Sequence, residues 1–308
     1  MNYTITFNPA IDYVVLLDQL AVGELNRIQK EDYVIGGKGI NVSVLLANLG
    51  VKSIATGFVA GFTGQYLEDE LAKHGIDQHF VEVEGKTRIN MKIKGQVETE
   101  INGAGPTIQA QDSQALFNFL ESQLQVGDTV FLSGNMAPGM SQEDYIHIAK
   151  LCLDKQVHFV LDSNRQLLTA CLPHHPFVIK PNRQELAEIF QVEIKTIDDI
   201  IHYAKKLQTQ GAQHVIVSLG GDGAVLVTKD QEIYQSSVPQ GKVVNSVGAG
   251  DSMLAAFMAQ YQKSHSLTQA LQMGAAAGSA TTFSVGIADR KLIQTLFNQI
   301  KITKLEEE

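Results

Sequence analysis

Short apolar runs alternate with amphipathic stretches along most of the chain. Runs at 3–7, 53–59, 128–133, 157–162, 176–180 and 213–218 read as strands. Several, such as DTVFLS, VHFVLD and QHVIVS, are almost continuously apolar, the pattern of parallel strands covered on both faces. Helical spacing fills the intervals at about 38–49, 64–74, 141–154, 182–190 and 196–210, and returns after 249. This alternation predicts an α/β fold with a central, mostly parallel sheet between helices. Ligands of such sheets bind beyond the carboxyl ends of the strands, so the loops there are where chemistry is expected.

Two regions break the rhythm. Residues 12–35 and 80–103 look like β-hairpin material, and the second (FVEVEG, TRINMKIKG, VETEING) has the period-2 pattern of strands exposed on one face. Both are expected to belong to a small projecting sheet, which could be a lid, a dimer contact or an edge extension. No internal repeat, long linker or low-complexity tract divides the chain, so residues 1–308 are read as one domain with this sheet attached. LEEE at the end reads as a solvated tail.

The 308 residues are enough for a well-buried core, and 33 acidic against 24 basic side chains argue against a nucleic-acid binder. That balance leaves anionic small molecules open, because a few local cations can define a pocket. Cys152 and Cys171 form no CxxC pair and read as two reduced thiols rather than a disulfide. The start, MNYTITFNPAID, has no signal-peptide pattern, and no run of about 18 apolar residues could span a bilayer. The expected location is the cytoplasm. No HExxH or His/Cys ligand spacing points to a protein-bound metal.

Glycine clusters carry the candidate chemistry. Gly85-Lys86-Thr87 resembles the end of a phosphate loop, but Phe80 stands where its first glycine belongs, and a hairpin turn is expected there. In NSVGAGDSMLAAF, a β-like approach at Lys242–Val244 leads into Gly248, Ala249, Gly250 and Asp251, then an apolar helix. Backbone N–H groups and a helix N-terminus would converge there on an oxyanion, beside a carboxylate able to accept a proton. The same residues also suit a tight turn capped by Asp251. Gly36-Gly37-Lys38-Gly39-Ile40-Asn41 allows close backbone approach, with Lys38 and Asn41 supplying a cation and an amide. Ser218-Leu219-Gly220-Gly221-Asp222-Gly223 lies between two apolar strands and could be a plain hairpin turn.

Taken together, GGKGIN, KPNRQEL, SLGGDG and VGAGDSMLAAF resemble the ordered signatures of ribokinase-like (PfkB) carbohydrate kinases. FNPAID, TRIN at 87–90, LSGN, LDSNR and VGIADR are most similar to the branch holding 1-phosphofructokinase and tagatose-6-phosphate kinase. The resemblance implies a three-layer α/β/α domain with a β-sheet lid, ATP with Mg²⁺, and phosphoryl transfer to a phosphorylated ketohexose, with fructose 1-phosphate giving fructose 1,6-bisphosphate as the expected reaction and tagatose 6-phosphate as the alternative acceptor. It makes Asp251 the catalytic base, with amides around Ala249 and Gly250 stabilising charge on the transferred group. A helix N-terminus lowers a nearby carboxylate's pKa, so Asp251 is expected to be a weak base that takes the proton late.

The resemblance further implies that Asp12, Gly37, Lys38 and Asn41 meet the sugar, and that Arg88, Lys38 and Asn90 meet its phosphate. It gives Ser218–Gly223, Gly250, Asn182 and Glu185 to the nucleotide, with Glu185 helping to order Mg²⁺. Arg27 is a weaker candidate for the substrate phosphate, reaching from a neighbouring subunit of a homodimer built through the lid. Asn182 and Glu185 also suit an N-cap and a first-turn carboxylate. Two departures from the family pattern are Asn245, where many members have Asp, and Asn135, where Ser is common; the first leaves a monovalent-cation site open. A rival of another class is a non-catalytic sensor of sugar phosphate or nucleotide on the same scaffold.

Overall fold

The computed structural model describes residues 1–306. The first half of the chain contains β1 (Asn2–Thr6), β2 (Ala10–Leu16), β3 (Lys30–Gly36), α1 (Lys38–Leu49), β4 (Ile54–Val59), α2 (Gly61–Lys73), β5 (Asp77–Glu82), β6 (Arg88–Lys94), β7 (Thr99–Asn102), α3 (Ala110–Gln123), β8 (Thr129–Ser133) and α4 (Gln142–Asp154). There follow β9 (His158–Asp162), α5 (Arg165–Cys171), β10 (Val178–Ile179), α6 (Arg183–Phe190), α7 (Ile197–Thr209), β11 (His214–Ser218), β12 (Ala224–Val227), β13 (Ile233–Ser236), α8 (Ala249–Ser264), α9 (Leu267–Thr282), α10 (Arg290–Phe297) and β14 (Ile302–Leu305).

Ten strands form the main sheet in the order β14-β13-β12-β11-β10-β9-β8-β1-β4-β5. From β11 to β5 all neighbours are parallel, and β12, β13 and β14 extend one edge antiparallel. Every residue of β1, β8 and β12 is buried; β8 (TVFLS) and β12 (AVLV) accordingly lack the alternation of half-exposed strands, whereas β1 (NYTIT) alternates although both its faces are covered. One core layer gathers Phe7, Leu116, Leu132, Tyr145, Leu161 and Val217 on one face of the sheet. The other packs Leu45, Phe131, Ile216 and Phe257 beneath α1, α8 and α9. Gly274, Ala277 and Gly278 bring α9 close to α8; a Cβ at Gly274 would lie 2.8 Å from Met253 O. Cys152 and Cys171 are both free and buried; burial pushes the Cys171 thiol up to about 12.

The small sheet runs β3-β2-β6-β7. Its centre is a parallel β2–β6 pair, not a hairpin, because the chain leaves it after β3 to build α1, β4, α2 and β5 before returning. FVEVEG therefore divides differently from the expectation. Phe80–Glu82 lie in β5, an edge strand of the main sheet parallel to β4. An exposed edge strand shows the same alternation as a lid strand, so periodicity could not separate them. Gly85-Lys86-Thr87 is the passage between the two sheets, not a hairpin turn: Thr87 is buried, and its Oγ1 accepts from Ala60 N at 2.9 Å.

Two smaller expectations also change. Lys242–Val244 form no strand; Val244 N and Asn245 N both donate to Thr282 O, at 2.9 and 3.1 Å, hanging this stretch on the end of α9. Leu305 is the last residue of β14 rather than part of a free tail, and Glu307 and Glu308 lie outside the described residues. Among the described residues no helix is long and apolar enough to cross a membrane.

Candidate active site

The carboxyl ends of β1, β9 and β10 meet the N-termini of α1 and α8. Gly248 caps α8 at φ 80°, and a Cβ there would lie 2.7 Å from Ile287 Cδ1, so both backbone and space call for glycine. Ala249, Gly250 and Asp251 form the first turn of α8. Amides in a first turn have no acceptor within their own helix; Ala249 N reaches back to Ser246 O at 3.3 Å, while those of Gly250 and Asp251 are open to an anion.

Asp251 is only 5% exposed and accepts a hydrogen bond from Asn41 Nδ2 at 2.8 Å. Its pKa is pushed up to about 6, by burial first and then by the charge of Asp162. Lys38, the Asn41 hydrogen bond and Lys180 act in the opposite direction. The lowering expected from the helix N-terminus is thus outweighed, because a buried carboxylate beside another loses more than the helix end returns.

Two residues central to this arrangement, Asp162 and Lys180, were absent from the sequence-based set. Lys38 Nζ binds Asp162 Oδ1 at 3.0 Å, and Lys180 Nζ stands 3.9 Å from Asp162 Oδ2. Burial works against the charge of Asp162, yet Lys180 and Lys38 together hold its pKa below the usual carboxylate value. Burial likewise opposes charge on Lys38, but Asp162, Asp251 and Glu185 together raise its pKa. Lys38, expected at the sugar phosphate, is therefore paired first with Asp162. One signal could have found the missed pair: each is a charged residue at the carboxyl end of an apolar run, VHFVLD or FVIK. Further buried polar atoms without a protein partner lie at the ends of β1 and β8: Thr6 Oγ1, Asn8 Oδ1 and Ser133 Oγ.

Asn182 and Glu185 form a reciprocal cap on α6. Asn182 Oδ1 accepts from Glu185 N and Glu185 Oε2 accepts from Asn182 N, both at 2.8 Å. The charge of Glu185 still reaches Lys38, so this cap borders the site. Ser218 to Gly223 join β11 to antiparallel β12, closed by Leu219 N donating to Gly223 O at 2.8 Å. Gly223 has φ 88°, and a Cβ there would meet Ser236 O at 2.1 Å, whereas Gly220 and Gly221 face open space. Asp222 turns outward to Arg183 at 3.3 Å.

The small sheet supplies another group. Asp12 and Asn90 are cross-strand partners, and Asn90 Nδ2 donates to Asp12 Oδ1 at 2.8 Å. Asn90 Oδ1 in turn accepts from Gly103 N at 3.2 Å. Arg88, two positions earlier on the same face, donates through Nε to Asn8 O at 3.1 Å. Burial lowers its pKa, opposed by Asp12. Gly37, at φ 118°, lies close over Thr6, whose Cγ2 would be 2.9 Å from a Cβ. Arg27 lies exposed between β2 and β3, away from these contacts. Asn135 Oδ1 accepts from Asn164 Nδ2 at 3.0 Å, and Asn245 Oδ1 accepts from Val247 N at 3.0 Å.

A parallel sheet whose strand ends gather a glycine-lined helix N-terminus, a buried carboxylate of raised pKa and two lysines defines an α/β protein suited to phosphoryl transfer. The pfkB family carbohydrate kinase model matches residues 5–292, and the chain belongs to that family of kinases. It is 44% identical to the 1-phosphofructokinase of Bacillus subtilis (strain 168) over 305 residues, covering 99% of this chain and 100% of that protein. It is 39% identical to the D-tagatose-1-phosphate kinase of Bacillus licheniformis over 306 residues, covering 99% and 100%. Phosphofructokinase-2 from Escherichia coli, solved in complex with substrates and products, superposes with a TM-score of 0.90 at 27% identity, covering 96% of this chain and 98% of that one. Arabidopsis thaliana ribokinase shares the fold, with a TM-score of 0.79 at 22% identity over 96% and 98% of the two chains.

Proposed function

We propose that the chain transfers the γ-phosphoryl group of ATP to the free primary hydroxyl of fructose 1-phosphate, giving fructose 1,6-bisphosphate and ADP. The observation that carries this reading is the buried Asp251 carboxylate, fixed by Asn41 at the open N-terminus of α8. Full-length likeness to 1-phosphofructokinase supports the choice of acceptor.

In this mechanism the hydroxyl oxygen forms its bond to the γ-phosphorus as the bond to the β-phosphate oxygen breaks. Asp251 takes the hydroxyl proton, ADP leaves, and the amides of Ala249 and Gly250 stabilise charge on the transferring oxygens. Asp12 and Asn90 orient sugar hydroxyls, with Gly37, Lys38 and Asn41 beneath the ring. The terminal nitrogens of Arg88, left free by its Nε bond to Asn8, take the 1-phosphate in a two-pronged contact. Ser218 to Gly223 receive the nucleotide, with room above Gly220 and Gly221.

Among the described residues no cluster of three or more His, Cys, Asp or Glu could hold a metal ion. In this reading Mg²⁺ would be carried mainly by nucleotide phosphates and water, with Glu185 assisting from the α6 cap. Bound there, Mg²⁺ would neutralise charge on the β- and γ-phosphates.

A second copy of the chain is the partner proposed for the lid. The cross-strand row Tyr33, Tyr13, Met91 and Ile101 lies on the face opposite Asp12. Three of its members are exposed, by 49% at Tyr33, 37% at Met91 and 57% at Ile101, an apolar stripe that a second lid would cover. Arg27 would then belong to the subunit boundary. The proposed setting is the cytoplasm, where ATP and sugar phosphates are both present.

The tagatose-type relative is named for a 1-phosphate, so the competing acceptor becomes tagatose 1-phosphate rather than the 6-phosphate. It differs from fructose 1-phosphate only at C4. ADP-release assays with fructose 1-phosphate, tagatose 1-phosphate and tagatose 6-phosphate decide. The highest kcat/KM is expected for fructose 1-phosphate, and a clear preference for either tagatose phosphate overturns that choice. Binding of ATP and sugar phosphate with no transfer in the presence of Mg²⁺ would favour the sensor.

A further inference from the structure

Lys180 follows β10 directly, and Pro181 turns the chain toward α6. Its side chain is buried, with the residue only 5% exposed, and runs beneath the first turn of α8. A Cβ on Gly250 would stand 2.8 Å from Lys180 Nζ and 3.1 Å from Cε. Asp162 Oδ2, at 3.9 Å, is beyond hydrogen-bond reach, and the other oxygen of that carboxylate is taken by Lys38. Among the described residues, the Lys180 ammonium donates no hydrogen bond.

The ammonium is paired only with the Asp162 carboxylate at 3.9 Å, and its three N–H donors have no acceptor within hydrogen-bond distance among the described residues. The positive end of the α8 dipole adds repulsion. Cation and helix end repel one another, yet both attract an anion seated between them. Gly250 is the residue that lets them approach, because any side chain there would displace the ammonium.

We infer that the Lys180 ammonium contacts the γ-phosphoryl group of ATP at the N-terminus of α8 and is a further catalytic residue of the transfer. The inference rests on the kinase reading above. Lys180 would hold the oxygens of the group as the bond to the sugar hydroxyl forms and the bond to ADP breaks, and would release them with the product. The proton still goes to Asp251. ADP alone has no group at this point, so the contact distinguishes a nucleoside triphosphate from a diphosphate.

The test compares Lys180→Met with wild type by calorimetric titration of Mg·ADP and of the non-hydrolysable β,γ-imido analogue of Mg·ATP. The expected result is an analogue Kd weakened by about 10-fold or more, an ADP Kd within about 2-fold, and kcat lower by about 100-fold. Equal weakening of both nucleotides, or an unchanged analogue Kd, overturns the inference, since a merely structural lysine would not single out the γ-phosphate. Circular dichroism checks the fold. Should Lys180→Met fail to fold, Lys180→Gln, which removes the charge but keeps a polar end, carries the same expectation and the same refutation. Failure of every ketohexose phosphate as acceptor would sink the proposed function, while the nucleotide comparison would still decide the role of Lys180.

Discussion

Asp251→Asn should remove turnover and at the same time make the protein more stable. The folded pKa of Asp251, about 6 against 3.8 for a free side chain, is a shift of about two units, each equivalent to about 1.4 kcal/mol. The native state therefore holds an extra proton between those two values. The cost of ionising Asp251 in the fold is absent below about pH 4, grows between pH 4 and 6, and is complete above about pH 6. At neutral pH it amounts to on the order of 3 kcal/mol, and an uncharged Asn of the same shape should recover about 1–3 kcal/mol of it. For a chain of this length that corresponds to a Tm higher by roughly 2–5 °C. Turnover should fall by about 100- to 10,000-fold with the base gone. Calorimetric melts at pH 7.5 and pH 5, paired with ADP-release rates, read both effects, and the gain in Tm should shrink at pH 5, where the wild-type carboxyl is protonated. A lower Tm for the variant at pH 7.5, or turnover near wild type, would refute the reasoning.

Three other outcomes are expected. Arg88→Ala should raise KM for fructose 1-phosphate by about 100-fold, the loss of a charge-assisted two-pronged contact, while turnover of unphosphorylated fructose changes little. The acid limb of the kcat/KM profile should fall near pH 6, because Asp251 must be ionised to accept the proton; a limb near pH 4 would assign the base elsewhere. Met91→Lys should convert a dimer to a monomer in light scattering, whereas an unchanged mass would remove the lid stripe as the contact between copies.

Much of the main sheet was legible because several of its strands are almost continuously apolar and its helices carry local stop signals. The expected span 38–49 coincides with α1, which ends at Gly50 in the left-handed region at φ 78°. The beginning of α8 was equally plain in Gly248-Ala249-Gly250. Pairing was harder. The parallel β2–β6 ladder and the assignment of β5 to the main sheet depend on the path of the intervening chain, which alternation does not encode. The site followed the same division. Asp251, Asn41 and Lys38 sit in glycine clusters and could be picked out locally, and the structure brings them together across about 210 residues. Asp162 and Lys180 have no such flag; each becomes part of the site only because adjacent parallel strands align their ends. The pKa of Asp251 was misjudged for a related reason. The helix end is visible in sequence, but burial and the second carboxylate arise only from packing.

The central claim concerns which bond is made. ³¹P NMR of purified protein with Mg·ATP and fructose 1-phosphate tests it most directly. The account requires the γ-phosphate signal of ATP to be replaced by a second sugar-phosphate resonance at C6, in equal amount to the ADP formed. Accumulation of inorganic phosphate alone, or no change in either reactant, would contradict it.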